Sequence, residues 1–122
     1  MKYTISVICL LLCFNLCYSQ RLKTPTLSPF SKISQQVGLT DVTLEYSRPS
    51  AKGRVVFGEL VPYNKVWRTG ANAATKITFK EVAKIGGKTI QPGEYAIYTI
   101  PGEDLWTIII HSNTSLRSIA GG

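Results

Sequence analysis

Between Arg48 and Thr75 the chain gathers the cations Arg48, Lys52, Arg54, Lys65 and Arg68 around the rings of Tyr46, Tyr63 and Trp67. The run closes on Gly70-Ala71-Asn72-Ala73-Ala74-Thr75. Cations beside aromatic faces can hold an anionic or sugar-like ligand through charge-assisted hydrogen bonds and stacking. Tyr46, Arg48, Arg54, Tyr63, Trp67, Arg68 and Asn72 are therefore the candidate ligand-binding residues. The same residue types also serve folding. Trp67 can be the main aromatic of a core, with the stem of Arg68 lying over it. Gly70 and Asn72 tolerate left-handed backbone and predict a turn.

Other chemistries find few residues to run on. His111 is the only histidine, which leaves a Ser-His or Cys-His nucleophile pair little to work with. The cysteines are Cys9, Cys13 and Cys17, all near the N-terminus, so neither a zinc site nor a disulfide framework is expected in the body of the chain. No Asp-rich calcium loop and no phosphate-cradling Gly-rich loop with a following Lys-Ser or Lys-Thr appears. No cofactor is implied. Glycoside hydrolysis needs two carboxylates. Glu59, inside the apolar stretch Phe57 to Val61, is the one acid whose setting predicts burial and a raised pKa.

Location comes from the first residues. Lys2 is followed by an apolar run from Ile5 to Leu16, then Cys17-Tyr18-Ser19 before Gln20. These are the parts of a cleaved signal peptide over residues 1–19, and the run is too short for a permanent membrane helix. The expectation is a periplasmic or secreted protein of about a hundred residues, one domain, without a transmembrane helix. A lipid anchor on Cys17 is the minor alternative, because Phe14-Asn15-Leu16 matches lipoprotein processing poorly. The net charge is +7, yet Lys76, Lys80, Lys84 and Lys88 are spread at alternate positions, as on a solvated sheet face. A nucleic-acid partner is not expected.

The elements that must position these residues are strands. Residues 20–33 are polar, carry Pro25 and Pro29, and read as an extended leader. A short strand over Ser34 to Val37 turns at Gly38 into Asp41 to Ser47, where Val42, Leu44 and Tyr46 alternate with polar neighbours. Lys76 to Lys80 alternates again, with Ile77 and Phe79 inward. Gly86-Gly87 predicts a two-residue hairpin. Tyr95 to Ile100 opens after the Pro92-Gly93 corner. Its tyrosine is either a hydroxyl bonded back to that corner, as in immunoglobulin-like folds, or a core ring with its hydroxyl at the rim. Leu105 to Ile110 is apolar on both faces except at Thr107, which predicts a central strand. The fold class is all-β, a small antiparallel β-sandwich, immunoglobulin-like or related, over residues 34–111. Residues 112–122 read as a polar, disordered tail.

Several runs together resemble one family. They are Val37-Gly38-Leu39-Thr40-Asp41-Val42, Glu45-Tyr46-Ser47-Arg48-Pro49, Lys52-Gly53-Arg54, Leu60-Val61-Pro62-Tyr63, Val66-Trp67-Arg68-Thr69-Gly70-Ala71-Asn72 and Pro92-Gly93-Glu94-Tyr95. Over about Ser28 to Ile110 the chain resembles the domain of unknown function 2911. The resemblance implies an exported protein of the kind found mostly in Bacteroidota, and no established activity. It also implies further strands after Ile110, where this chain departs into Ser112 to Gly122, as an incomplete sandwich from a shortened or frame-altered product would. The leading function class is a non-catalytic binding or interaction module for a small-molecule, glycan or protein partner of the cell envelope. The alternatives are an envelope glycan hydrolase using Glu59 and a structural module whose open edge recruits a partner strand.

Overall fold

The computed structural model describes residues 22–116. The signal peptide over residues 1–19, the anchor at Cys17 and the end of the tail beyond Leu116 lie outside the described residues. Within them the chain is all-β. The strands are β1 (Phe30–Val37), β2 (Thr40–Ser47), β3 (Thr75–Phe79), β4 (Ala83–Ile85), β5 (Lys88–Ile90), β6 (Gly93–Ile100) and β7 (Thr107–His111). Five form one antiparallel sheet in the order β1-β2-β3-β6-β7, and β4 and β5 form a two-stranded ribbon. Ile85 and Ile90 of the ribbon share a cavity with Tyr95, Ile108 and Ile110 of the large sheet. The architecture is that of a small β-sandwich whose second layer is narrow. Among the described residues no helix is long and apolar enough to cross a membrane.

Turn chemistry sets the register. Gly86 and Gly87 both take positive φ, 56° and 78°, and join Ile85 to Lys88 in direct cross-strand pairing. Both central positions of such a turn need left-handed backbone, which glycine adopts without a Cβ clash. At the Pro92-Gly93 corner the Tyr95 hydroxyl donates to the Gln91 carbonyl at 2.8 Å. Of the two readings of Tyr95, the corner bond is the one that forms. The ring also tilts against Phe79, with centroids 6.2 Å apart.

The pairing register sorts side chains onto two unlike faces. Ile33, Leu44, Ile77 and Tyr95 align across β1, β2, β3 and β6, and Ile97 and Ile110 across β6 and β7. That face is apolar. On the other, Lys32 meets Glu45 at 2.6 Å and Lys76 meets Glu94 at 2.9 Å. Toward β7 this second face becomes the core. Ala96 and Tyr98 are fully buried with Ala74, and Val66, Ile109 and Leu116 pack against them. The Tyr98 hydroxyl donates to the Leu116 carbonyl at 2.6 Å, so no buried polar atom is stranded there.

Three expectations need correction. First, β1 begins at Phe30, not Ser34. The end of the expected leader pairs with β2 from Phe30↔Ser47 onward, because long-range ladder bonds override the weak local signal of a polar segment. Second, among the described residues β7 lies at an edge of the sheet, not at its centre. Its apolar outer residue Ile108 is 66% exposed. An apolar run reports what a strand could bury, not that a neighbour covers it. Third, the start of the polar tail is a turn. Asn113 Oδ1 accepts from the backbone N–H and the hydroxyl of Ser115 at 3.0 and 2.7 Å, which brings Leu116 back over Tyr98.

Candidate functional site

Between Ser47 and β3 the chain leaves the sheet and returns in steps. Lys52 and Gly53 take positive φ, 50° and 72°, and the Arg54 amide closes the turn onto the Ala51 carbonyl at 3.1 Å. The Arg54 guanidinium then reaches back. Its Nε donates to the Ala51 carbonyl at 2.9 Å and its Nη2 to the Ser50 carbonyl at 2.8 Å. A second small loop follows, held by Val61 N–H to the Val56 carbonyl at 2.8 Å. Gly58 sits there at φ 93°, and a Cβ in its place would stand 3.0 Å from Tyr63 Cε2. Glycine suits this position through its positive φ and through the room that it leaves for the Tyr63 ring.

Trp67 regains the sheet. Its amide donates to the Thr99 carbonyl at 2.7 Å, and the Thr99 amide donates back to the Trp67 carbonyl at 2.8 Å. Trp67 thus prolongs the line of β3 along β6, with residues 68–74 looping out between. Its ring makes an edge-to-face trio with Phe57 and Trp106, at 6.0 and 6.5 Å between centroids. Thr69 holds a left-handed backbone at φ 57°, which is costly for a β-branched residue. Side-chain bonds hold it there. Its hydroxyl lies 3.1 Å from that of Thr99, and its carbonyl accepts from the Thr75 hydroxyl at 2.6 Å. Asn72, at φ 62°, donates from Nδ2 to the Ser47 hydroxyl at 3.2 Å.

These loops enclose a cleft of about 660 Å³. Its walls are apolar, built from Val56, Leu60, Val61, Pro62, Val66 and Tyr98. Among the described residues every charged one that lines it is a cation: Arg54, Lys65 and Arg68. Arg54 spends donors on its own loop, whereas Lys65 and Arg68 are exposed and make no side-chain hydrogen bond or ion pair among the described residues. The cleft can offer positive charge at its rim and an apolar wall behind it.

Of the seven candidate residues, the fold brings Arg54, Trp67 and Arg68 to this cleft. Tyr46 lies half-buried on β2, on the apolar face of the sheet. Arg48 is exposed, with its amide bonded to the Pro29 carbonyl at 2.9 Å. Tyr63 braces Gly58, and Asn72 ties the 68–74 loop to Ser47. Sequence reasoning left out Lys65 and the apolar wall. The Leu60-Val61 cluster was the available signal, but only the fold shows that it faces the cations. Glu59 is exposed and does not line the cleft. The burial expected of it is missing, because the apolar stretch around it is a surface loop in which Leu60 is itself 50% exposed.

Among the described residues no three His, Cys, Asp or Glu side chains gather closely enough to hold a metal ion. The family model described as Protein of unknown function (DUF2911) matches residues 28–120, which carries the likeness past Ile110. Comparison with curated proteins and with solved structures gave no match.

Proposed function

The chain belongs to the family of proteins of unknown function DUF2911, and we propose that it is an exported, non-catalytic binding module that takes an anionic ligand in the cleft between the 49–71 loops and β6. The observation that carries this reading is the sign of the lining. Cations line the cleft at Arg54, Lys65 and Arg68, no carboxylate among the described residues does, and the wall behind them is apolar. Positive charge beside a low-dielectric wall attracts anions more strongly than the same charge in open water. Export rests on the Lys2, Ile5–Leu16 and Cys17-Tyr18-Ser19 pattern. Fractionation of cells that make the tagged full chain tests it, with processed protein expected outside the cytoplasm.

Titration with inorganic phosphate and with glucuronate, followed by the NMR signals of Val61, Val66 and Trp67, tests the binding reading. Arg68→Ala is expected to weaken the response about tenfold or more, the worth of a hydrogen bond to a charged group. Its stability should change by no more than about 0.5 kcal/mol, as for an exposed residue. Trp67→Ala is expected to lose folding as well, through its aromatic trio. An undiminished response in Arg68→Ala removes the reading, and so does the lack of a response in the parent protein to these or to any other anion.

A second reading is strand addition. The outer edge of β7 carries Thr-Ile-Ile-Ile-His with neither a charge nor a proline, which suits pairing with another chain.

A further inference from the structure

The shape and lining of the same cleft narrow the ligand further. A free inorganic anion or a sugar acid is polar all round and gains nothing from Val56, Leu60, Val61, Pro62 and Val66. Placed there, it would lose water from its unbonded side without compensation. A purely apolar ligand fails in the opposite way, since it would strip water from Lys65 and Arg68 without pairing them. The cleft volume of about 660 Å³ falls inside the roughly 300–1,000 Å³ of small-molecule sites, so there is room for more than a single head group.

The lining is also divided. Arg54 is pinned to the Ser50 and Ala51 carbonyls, and Tyr98 commits its hydroxyl to the Leu116 carbonyl. The charged donors with no side-chain partner among the described residues are therefore Lys65 and Arg68, while Val56, Leu60, Val61 and Val66 present only carbon from their side chains. We infer that the ligand is an amphipathic anion, with one anionic head at Lys65 and Arg68 and an apolar body along the wall from Val66 to Val56. This rests on the anion-binding reading above and adds the apolar body to it.

An alkyl series on the full chain, below micelle-forming concentration, tests it. Acetate, hexanoate and decanoate share a carboxylate. Decyl phosphate changes the head, and decyltrimethylammonium reverses its charge. Binding is read at the NMR signals of Val61, Val66 and Trp67. Each buried methylene is expected to tighten binding by up to about fourfold, so decanoate should exceed acetate by at least tens of fold. Arg68→Gln should weaken decanoate about tenfold. Ile108→Ser, at a residue that does not line the cleft, should leave it unchanged. A preference between decanoate and decyl phosphate tells a carboxylate head from a phosphate one.

Equal binding of acetate and decanoate overturns the inference and leaves the anion site standing. So does equal binding of the decyl cation and the decyl anions at these signals. No response to any anion, phosphate and glucuronate included, removes both.

Discussion

The two edges of the five-stranded sheet meet water in opposite ways. β1 follows Pro29, carries Lys32 in an ion pair with Glu45, and continues through Ser34, Gln35 and Gln36. β7 carries no charge, no proline and three consecutive isoleucines, and Ile108 is 66% exposed. Charges and proline are the means by which native edges discourage further pairing. Among the described residues one edge of this sheet is guarded and the other is not. The contrast continues inward. The compact core of Ala74, Ala96 and Tyr98 lies on the β7 side, whereas surface ion pairs dominate the corresponding face near β1.

Stability should follow that division. Tyr98 is fully buried on β6 and gives its hydroxyl to Leu116. Tyr98→Ala should cost about 3–5 kcal/mol, the range for removing a large ring from a packed core. Ile33 on β1 is already 47% exposed, so Ile33→Ala should cost less than about 1 kcal/mol. Denaturant midpoints of the two variants measure both. Equal losses would erase the distinction between the two sides of the sheet.

Association should follow the open edge. Ile108→Lys places a charge on β7 at a position facing solvent, so folding stability should stay within about 0.5 kcal/mol. Self-association, read by sedimentation velocity across a concentration series, should fall. Lys32→Val removes the guard from β1 and should raise it. If Ile108→Lys associates as the parent does, β7 is not the edge through which chains meet, and the strand-addition reading goes with it.

How much of this was legible in the sequence depends on the range of the interaction. The Gly86-Gly87 hairpin and the alternation of Val42, Leu44 and Tyr46 are local, and both are present in the fold. The first residues of β1 were hidden because Phe30-Ser31-Lys32-Ile33 shows no clear alternation beside Pro29, and only pairing with β2 makes it a strand. β7 was misplaced for a related reason. Ile108, Ile109 and Ile110 state an appetite for burial, but strand order decides whether a neighbour exists. At the site, the density of cations and rings marked the right stretch of chain. It could not separate Arg68, exposed at the rim, from Arg54, which ties its own loop. Tyr98 was beyond reach, since it joins the cleft wall from a strand some thirty residues away.

The smallest effect tests the polar face. Glu94 has its pKa lowered from 4.5, first by the hydrogen bond from Lys76, against a smaller opposing cost of desolvation. Their contact is 2.9 Å, with the two side chains 32% and 42% exposed, so solvent screens the pair. Its worth should be a few tenths of a kcal/mol, as for exposed ion pairs. The sign follows from proton binding. Below the ordinary carboxylate pKa the unfolded chain binds the proton more readily than the folded one. The contribution is therefore complete above that value and is lost as pH falls through the lowered folded pKa. Lys76→Met should flatten this part of the stability-pH curve, and raised salt should flatten it in the parent. The matching pair on the guarded edge, Lys32 with Glu45, offers the control. Lys32→Met should leave the steepness assigned to Glu94 largely in place, and an equal flattening in both variants would mean that the acid limb belongs to the whole charged face and not to this contact.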